Sequence, residues 1–271
     1  MMAYLLTTFF SGQRLPAIAE DVEVYIAQIL HYSMSGSKLN SVALLRRCSL
    51  TLLNEEGGEQ AIGRDVMLEG LDGLDNYASS LAHLFQGSLH YFFGQHEKGA
   101  ALAEKTGIML KNFLSLYASM PSLYQQCLCL YASAQHCNNV WQGRKRRRLG
   151  RQRHEILKGW AKDGCVNVVH YVAILDAELA ILNKAPGEKV QYLYQKAIAL
   201  SARGGMVHDL AVVTERLAIY LNSQGELVEA GRRYEQASQY YQEWGFTWKS
   251  KYIQREFADL ILSWSLSNRG T

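Results

Sequence analysis

Two stretches of the chain, "YQKAIALSARGG" (residues 194–205) and "YEQASQYYQEWG" (residues 234–245), match each other at a constant offset. A tyrosine, an alanine and a glycine recur at that offset, in the pairs Tyr194 and Tyr234, Ala197 and Ala237, Gly205 and Gly245. Between the two stretches lie a segment with helical spacing, a turn at Gln224-Gly225 and a second helical segment. A helix–turn–helix unit that recurs at a fixed period is typical of α-helical repeat proteins.

The repeat predicts an all-α fold, a tetratricopeptide-like α-solenoid of about six or seven antiparallel helical hairpins. The stretch "GSLHYFFGQHEKGAALAEKTG" (residues 87–107) has the same order of tyrosine, glycine and alanine. We expect a single array over residues 1–271. It has a looser part at 1–143, a basic connection at 144–157 and the best-defined repeats at 158–266.

Helical spacing predicts further helices along the N-terminal half. They are expected at residues 15–32, 42–53, 77–94 and 96–110, with a break at 35–41. Pro121 is expected to open a long helix that runs through Trp141, because proline suits a first helical turn.

Composition indicates a globular, cytoplasmic protein. Of the 271 residues, 48% are apolar and 20% are charged, and the net charge of +3 is too small to indicate a nucleic-acid or membrane partner. The five cysteines are odd in number and lack the spacing of a disulfide framework, so we expect reduced thiols. An N-terminal apolar run of about eight residues is too short for a membrane span and follows no basic region.

Three motifs resemble the helical-repeat region of a family of large signalling proteins. "DGCVNVVHYVAILDAELAIL" (163–182) is similar to the family's Cys-Pro-x-Asn-x-x-His segment and the Ala-Glu helix after it, with Val166 where proline is usual. The residues that match there are Cys165, Asn167, His170, Leu175, Ala177 and Glu178. The residues that match in the second motif are Tyr194, Ala197, Ile198, Gly205, Asp209, Ala211 and Glu215. In the third motif they are Tyr241, Trp244, Gly245 and Lys249, with Phe246 where alanine is usual.

Proteins of that family carry a serine/threonine-kinase-like domain, a P-loop ATPase, the repeat region and often a GAF domain with a histidine kinase. The resemblance implies a non-catalytic scaffold that links ATPase and kinase modules in a two-component signalling chain. The sequence itself has no P-loop, no kinase glycine-rich loop and no histidine-kinase box. We therefore predict no enzyme activity, no cofactor, and other proteins or neighbouring domains as partners.

The chain offers few groups for metal or acid–base chemistry. Cys165 and His170 are five residues apart without a second ligand pair, so we expect His170 to be hydrogen-bonded inside the array and Asn167 to cap a helix. Asp209 is expected in a first helical turn, and Glu215 as a partner for another helix. The acidic pairs Glu55/Glu56 and Asp72/Asp75 are predicted in turns, which rarely position a proton donor.

Two clusters leave alternatives open. The first comprises Cys127, Cys129, His136 and Cys137, which are either packed core residues or a redox site. The second is a run of seven cations: Arg144, Lys145, Arg146, Arg147, Arg148, Arg151 and Arg153. The run is either an exposed connection, a docking site for an acidic protein or phosphate, or a nucleic-acid site. No aromatic residue lies inside it for base stacking.

Overall fold

The computed structural model describes residues 2–34, 36–54, 66–67, 75–107 and 117–269, with side chains as far as residue 267. These residues form α-helices, one 3-10 turn at Val166–Val168 and no β-strand, which confirms the all-α prediction for the described part of the chain. No described helix is both long enough and apolar enough to span a bilayer. The helices are α1 Met2–Phe10, α2 Leu15–His31, α3 Gly36–Leu53, α4 Asn76–Phe92, α5 His96–Thr106, α6 Ser119–Gln135, α7 Val140–Lys162, α8 Val169–Leu182, α9 Gly187–Arg203, α10 Val207–Ser223, α11 Leu227–Trp244, α12 Thr247–Glu256 and α13 Ala258–Arg269.

Several helix boundaries differ from the prediction. The break expected at 35–41 is helical from Gly36 onward, within α3. The helix expected to run through Trp141 ends at Gln135. Asn139 then caps α7, because its side chain accepts hydrogen bonds from the backbone N–H groups of Trp141 and Gln142, at 3.0 and 3.2 Å. Glu55, Glu56, Asp72 and residues 108–110 lie outside the described residues.

The prediction that the basic run forms a connection at 144–157 was wrong. The run lies inside the 23-residue helix α7. Three glycines and a dense positive charge disfavour a helix in isolation. One of them, Gly150, is required by packing, since a Cβ at that position would lie 2.5 Å from Cε1 of Tyr131 on α6. Tertiary contact with α6 therefore outweighs the weak local preference of this segment.

Helices from α4 to α13 pack in series. Each helix contacts the next along the chain. Contacts also join α4 with α6, α6 with α8, α5 with α7, and α11 with α13. Side chains continue the series of even-numbered helices from α8 to α10 and from α10 to α12.

The 40-residue repeat has a structural counterpart in α9 and α11. Tyr194 and Tyr234 are both buried, and Ala197 and Ala237 are both fully buried. The glycines that end the two stretches both have a left-handed backbone, with φ of +67° at Gly205 and +99° at Gly245. The residues that recur in the sequence therefore occupy equivalent positions on the two helices.

The turn between α1 and α2 packs against helices from the other end of the chain. Gly12 has φ +81°, and a Cβ there would lie 2.5 Å from Nδ1 of His208 on α10. Trp244 at the end of α11 donates from Nε1 to the backbone oxygen of Gln13, 231 residues away in sequence, at 3.1 Å. The turn between α1 and α2 is thereby fixed to α10 and α11.

Candidate functional site

The first buried polar group, the Asp209 cluster, joins four helices. It consists of Tyr91 on α4, Tyr124 on α6, His170 on α8, and His208 with Asp209 on α10. One carboxylate oxygen of Asp209 lies 3.3 Å from Nε2 of His170 and 3.4 Å from Nε2 of His208. The Tyr91 hydroxyl donates to the other carboxylate oxygen at 3.3 Å and lies 2.9 Å from the Tyr124 hydroxyl.

Burial and neighbouring groups shift the pKa of Asp209 in opposite directions. Burial by itself raises the pKa of Asp209, but the adjacent imidazoles of His208 and His170 outweigh it, and the pKa is lowered. Burial lowers the pKa of His208, whose Nδ1 has no hydrogen-bond partner among the described residues. All five side chains are nearly inaccessible to solvent, so the cluster serves as a structural contact in this conformation.

The second group, the Glu178 cluster, is a buried ion pair with two polar neighbours. Arg216 on α10 binds Glu178 on α8 through Nε and Nη2, each at 2.7 Å. Gln135 on α6 and Tyr194 on α9 donate to the same carboxylate at 2.9 and 2.8 Å. Burial raises the pKa of Glu178, but the charge and hydrogen bonds of Arg216 more than offset it and lower the pKa overall.

The third polar group is an ion pair that joins α10 to α12. Lys249 on α12 lies 2.7 Å from one carboxylate oxygen of Glu215 on α10. The hydroxyl of Tyr241 on α11 donates to the other oxygen at 2.7 Å. Trp244, close by on α11, stacks at a tilt against Phe92 of α4 with ring centroids 4.6 Å apart.

Two residues of the first motif lie apart from these clusters. Asn167 is exposed within the 3-10 turn and does not cap α8, contrary to expectation, since the N-cap of α8 is Val168 without a side-chain bond. Cys165 is half-buried, with its Sγ 3.9 Å from Sδ of Met120. No group of three or more potential metal-ligating side chains is found among the described residues.

The cysteines for which core packing and a redox site were both considered differ in burial. Cys127 is buried and donates to the backbone oxygen of Gly150, whereas Cys137 lies half-buried beyond the end of α6. Burial raises the pKa of Cys129 to about 12 and also raises the pKa of Cys127. A raised thiol pKa disfavours the reactive thiolate, so the structure favours the core-packing alternative for these two residues.

The cations of α7 divide between two sides of the helix. On the side facing α5, Arg146 is buried and binds Glu104, with Nε to Oε1 at 2.9 Å, and also Glu97. Lys145 pairs with Glu104 as well. Arg153 is buried and donates to an amide oxygen of α6 and to a backbone carbonyl of α5. These three cations are bound within the protein.

On the side facing α8, the cations border a groove of about 340 Å³, hereafter the basic groove. It lies between the C-terminal ends of α6 and α8 and the first turns of α7. The residues that define its character are Val140, Arg144, Arg147, Ile181, Leu182 and Lys184. No carboxylate is found among the described residues that line it.

Sequence reasoning missed several members of the buried clusters, above all Arg216, Gln135 and Tyr91. Arg216 carries a detectable signal, because on a helix it shares a face with Val212, Val213 and Tyr220, which are buried. A charged residue in an apolar stripe implies a buried partner, but its identity depends on distant residues. Gln135 and Tyr91 have no comparable signal.

Comparison with known proteins identifies no relative. No family model, no curated protein and no solved structure matches the chain. The likeness to the repeat region of large signalling proteins therefore stays a prediction. Function has to be inferred from the chain's own geometry.

Proposed function

We propose that the chain is a non-catalytic helical-repeat module, a tetratricopeptide-like α-solenoid that holds a partner protein or a neighbouring domain. The observation that carries this proposal is the way buried polar groups join successive even-numbered helices. The Asp209 cluster links α4, α6, α8 and α10, the Glu178 cluster links α6, α8 and α10, and the Glu215–Lys249 pair links α10 to α12. Contacts between neighbouring units hold such arrays together and fix their curvature.

The pairing and burial of the acidic side chains support a scaffold function more than an enzyme function. Glu178, Asp209 and Glu215 are each bonded to a cation or imidazole on a neighbouring helix. A general acid or base must lie within hydrogen-bond distance of its substrate. Glu178 and Asp209 are almost fully buried, so a substrate cannot reach them in this conformation. Their geometry suits the joining of hairpins.

The resemblance of the motifs suggests a place for this scaffold. In this proposal the module lies between an ATPase and a sensor kinase of a two-component signalling protein. A stack held by specific contacts behaves as a semi-rigid spring, so a displacement at one end changes the geometry at the other. The module would couple nucleotide state to kinase output.

Two experiments test the proposal in sequence. Sequencing of the transcript on both sides of the reading frame should reveal an ATPase upstream and a kinase downstream, and stop codons on both sides would contradict the linking role. Isothermal titration of the chain with each separately expressed neighbour should then give saturable binding. Titrations without measurable binding to either neighbour would contradict the interaction function.

The alternative function is an adaptor that binds nucleic acid or another phosphate-rich partner through the basic run. The positions of the cations reduce the number that such a partner can reach. Lys145 and Arg146 pair with carboxylates, and Arg153 is buried. Four of the seven cations remain on the groove side or exposed: Arg144, Arg147, Arg148 and Arg151.

A further inference from the structure

The basic groove concentrates positive charge that the protein does not neutralise. Arg144, Arg147 and Lys184 line it, and no carboxylate lines it among the described residues. On the opposite side of the same helix, Lys145 and Arg146 have carboxylate partners. The groove therefore differs from the part of α7 that contains Lys145 and Arg146, because its cations have no carboxylate partners among the described residues.

The helix ends that border the groove do not cancel this charge. Each helix terminus is equivalent to about half an elementary charge, negative at a C-terminus and positive at an N-terminus. The C-terminal ends of α6 and α8 together offset about one charge, and the N-terminus of α7 restores about half of one. Against three full cations, the balance at the groove stays at roughly two and a half positive charges.

One cation of the groove, Arg147, is held in place before any ligand binds. Arg147 and Arg151 both donate from Nη2 to Oδ1 of Asn183, which follows α8. The Nε of Arg147 has no hydrogen-bond partner among the described residues. A guanidinium positioned in this way loses little conformational entropy when it binds a carboxylate.

Apolar surface adjoins the charge. Trp141 is 78% exposed and Val140 is 62% exposed at the start of α7, although both residue types are usually buried. Ile181 and Leu182 line the opposite wall. The guanidinium of Arg144 lies 5.8 Å from the centre of the Trp141 ring and covers one of its faces. Because Arg144 covers this face of the Trp141 ring, a nucleic-acid base cannot stack on it, which favours a peptide ligand over a nucleic acid.

We infer that the basic groove binds an acidic peptide segment of a partner protein, with carboxylates on Arg144, Arg147 and Lys184 and an apolar side chain against Trp141 and Val140. The inference rests on the proposed interaction function and supplies the chemistry of its partner. A groove of about 340 Å³ accommodates a few side chains of an extended segment. The positive charge selects the acidic sequence, and the exposed tryptophan selects the apolar residue within it.

Fluorescence anisotropy with a synthetic peptide tests this inference. The probe is a fluorescein-labelled peptide of glutamates with one central leucine, titrated with the purified chain. Saturable binding is expected, and the double variant Arg144→Glu with Lys184→Glu should weaken it about tenfold or more. Both residues are exposed, so the variant should keep its fold, which circular dichroism checks. Arg148→Glu is the matched control, since this exposed arginine of the same helix does not line the groove, and it should change affinity less than about threefold.

Three outcomes would overturn the inference. They are no binding of the peptide, equal loss of affinity in the double variant and in Arg148→Glu, and preferential binding of a labelled oligothymidylate over the peptide. The proposed function is judged separately by the calorimetric titration. If a neighbouring domain binds the double variant as tightly as the unmodified chain, the interaction function stands and the groove is not its site.

Discussion

The inner clusters and the basic groove both contain cationic side chains, but the two regions differ in how the positive charge is balanced. Arg216 meets Glu178 at 2.7 Å in a site closed to water. Arg144 and Lys184 border an open groove without a lining carboxylate among the described residues. Removal of one partner inside leaves an uncompensated buried charge, whereas removal of a groove cation leaves only solvated neighbours. The comparison therefore predicts that the inner charges matter mainly for stability and that the groove charges can be changed at little cost to stability.

Replacement of Arg216 by alanine should give the largest effect on stability. The change leaves the Glu178 carboxylate buried with only the Gln135 amide and the Tyr194 hydroxyl as donors. We expect a loss of about 3–5 kcal/mol in the free energy of unfolding, measured by urea denaturation.

The paired replacement Glu178→Met with Arg216→Met is the control for this prediction. It removes both charges and keeps apolar volume in their place, so it should cost far less than Arg216→Ala alone. If the single and the paired variants lose the same stability, the ion pair is not what joins α8 to α10.

Acid should weaken the interior through its buried histidines. His154 is fully buried, and burial, together with the charge of Lys158, lowers its pKa to about 4. In the unfolded chain histidine titrates near pH 6.5, so between about pH 6.5 and 4 the unfolded state binds a proton that the folded state does not. The free energy of unfolding should therefore fall as pH decreases through this window, by up to about 1.4 kcal/mol per pH unit for this residue.

Urea titrations at pH 7, 6 and 5 measure this slope. His96 and His208 also have a lowered pKa and add to it. His154→Phe should reduce the slope of the free energy of unfolding against pH by the contribution of one proton taken up on unfolding. Arg148→Ala should leave the slope unchanged. An unaltered slope in His154→Phe would show that His154 is not buried in its neutral form.

The smallest expected effects separate the two sides of α7. Arg146→Ala should cost about 1–3 kcal/mol, because it removes charged hydrogen bonds to Glu104 and Glu97. The loss should be smaller than for Arg216→Ala, since Glu97 is 71% exposed and water can replace its partner. Arg148→Ala should change stability by no more than about 0.5 kcal/mol in the same urea assay. Equal losses for the two variants would contradict the division of the helix into two sides.

The parts of the fold that were predictable are those specified by local pattern. The spacing of Tyr194, Ala197 and Gly205 and their counterparts 40 residues later placed α9 to α11, because helix periodicity and a left-handed glycine are local properties. Helix α7 was misread because its charge and glycines resemble a loop. The reason for Gly150 is the ring of Tyr131 on another helix, which no local pattern reveals.

The candidate site was predictable only in its composition. The arginine run was visible as a charged segment, but the division of its members depends on Glu97 and Glu104, which lie 49 and 42 residues before Arg146. Lys184 joins the groove only because the end of α8 lies beside α7. Contacts between residues so far apart in sequence arise from tertiary packing. The sequence therefore indicated that a basic surface exists but not its shape.

The contact between the α1–α2 turn and α10–α11 has a consequence for how the protein is made. Gln13 and Trp244 are 231 residues apart, and a ribosome that adds about 5–20 residues per second needs about 10–50 s to cover that distance. During this interval Leu15, fully buried in the finished protein, lacks the neighbourhood of Gly245. Helices α1 and α2 therefore carry uncovered apolar surface until α10 and α11 have been synthesised, and exposed surface of this kind favours chaperone binding.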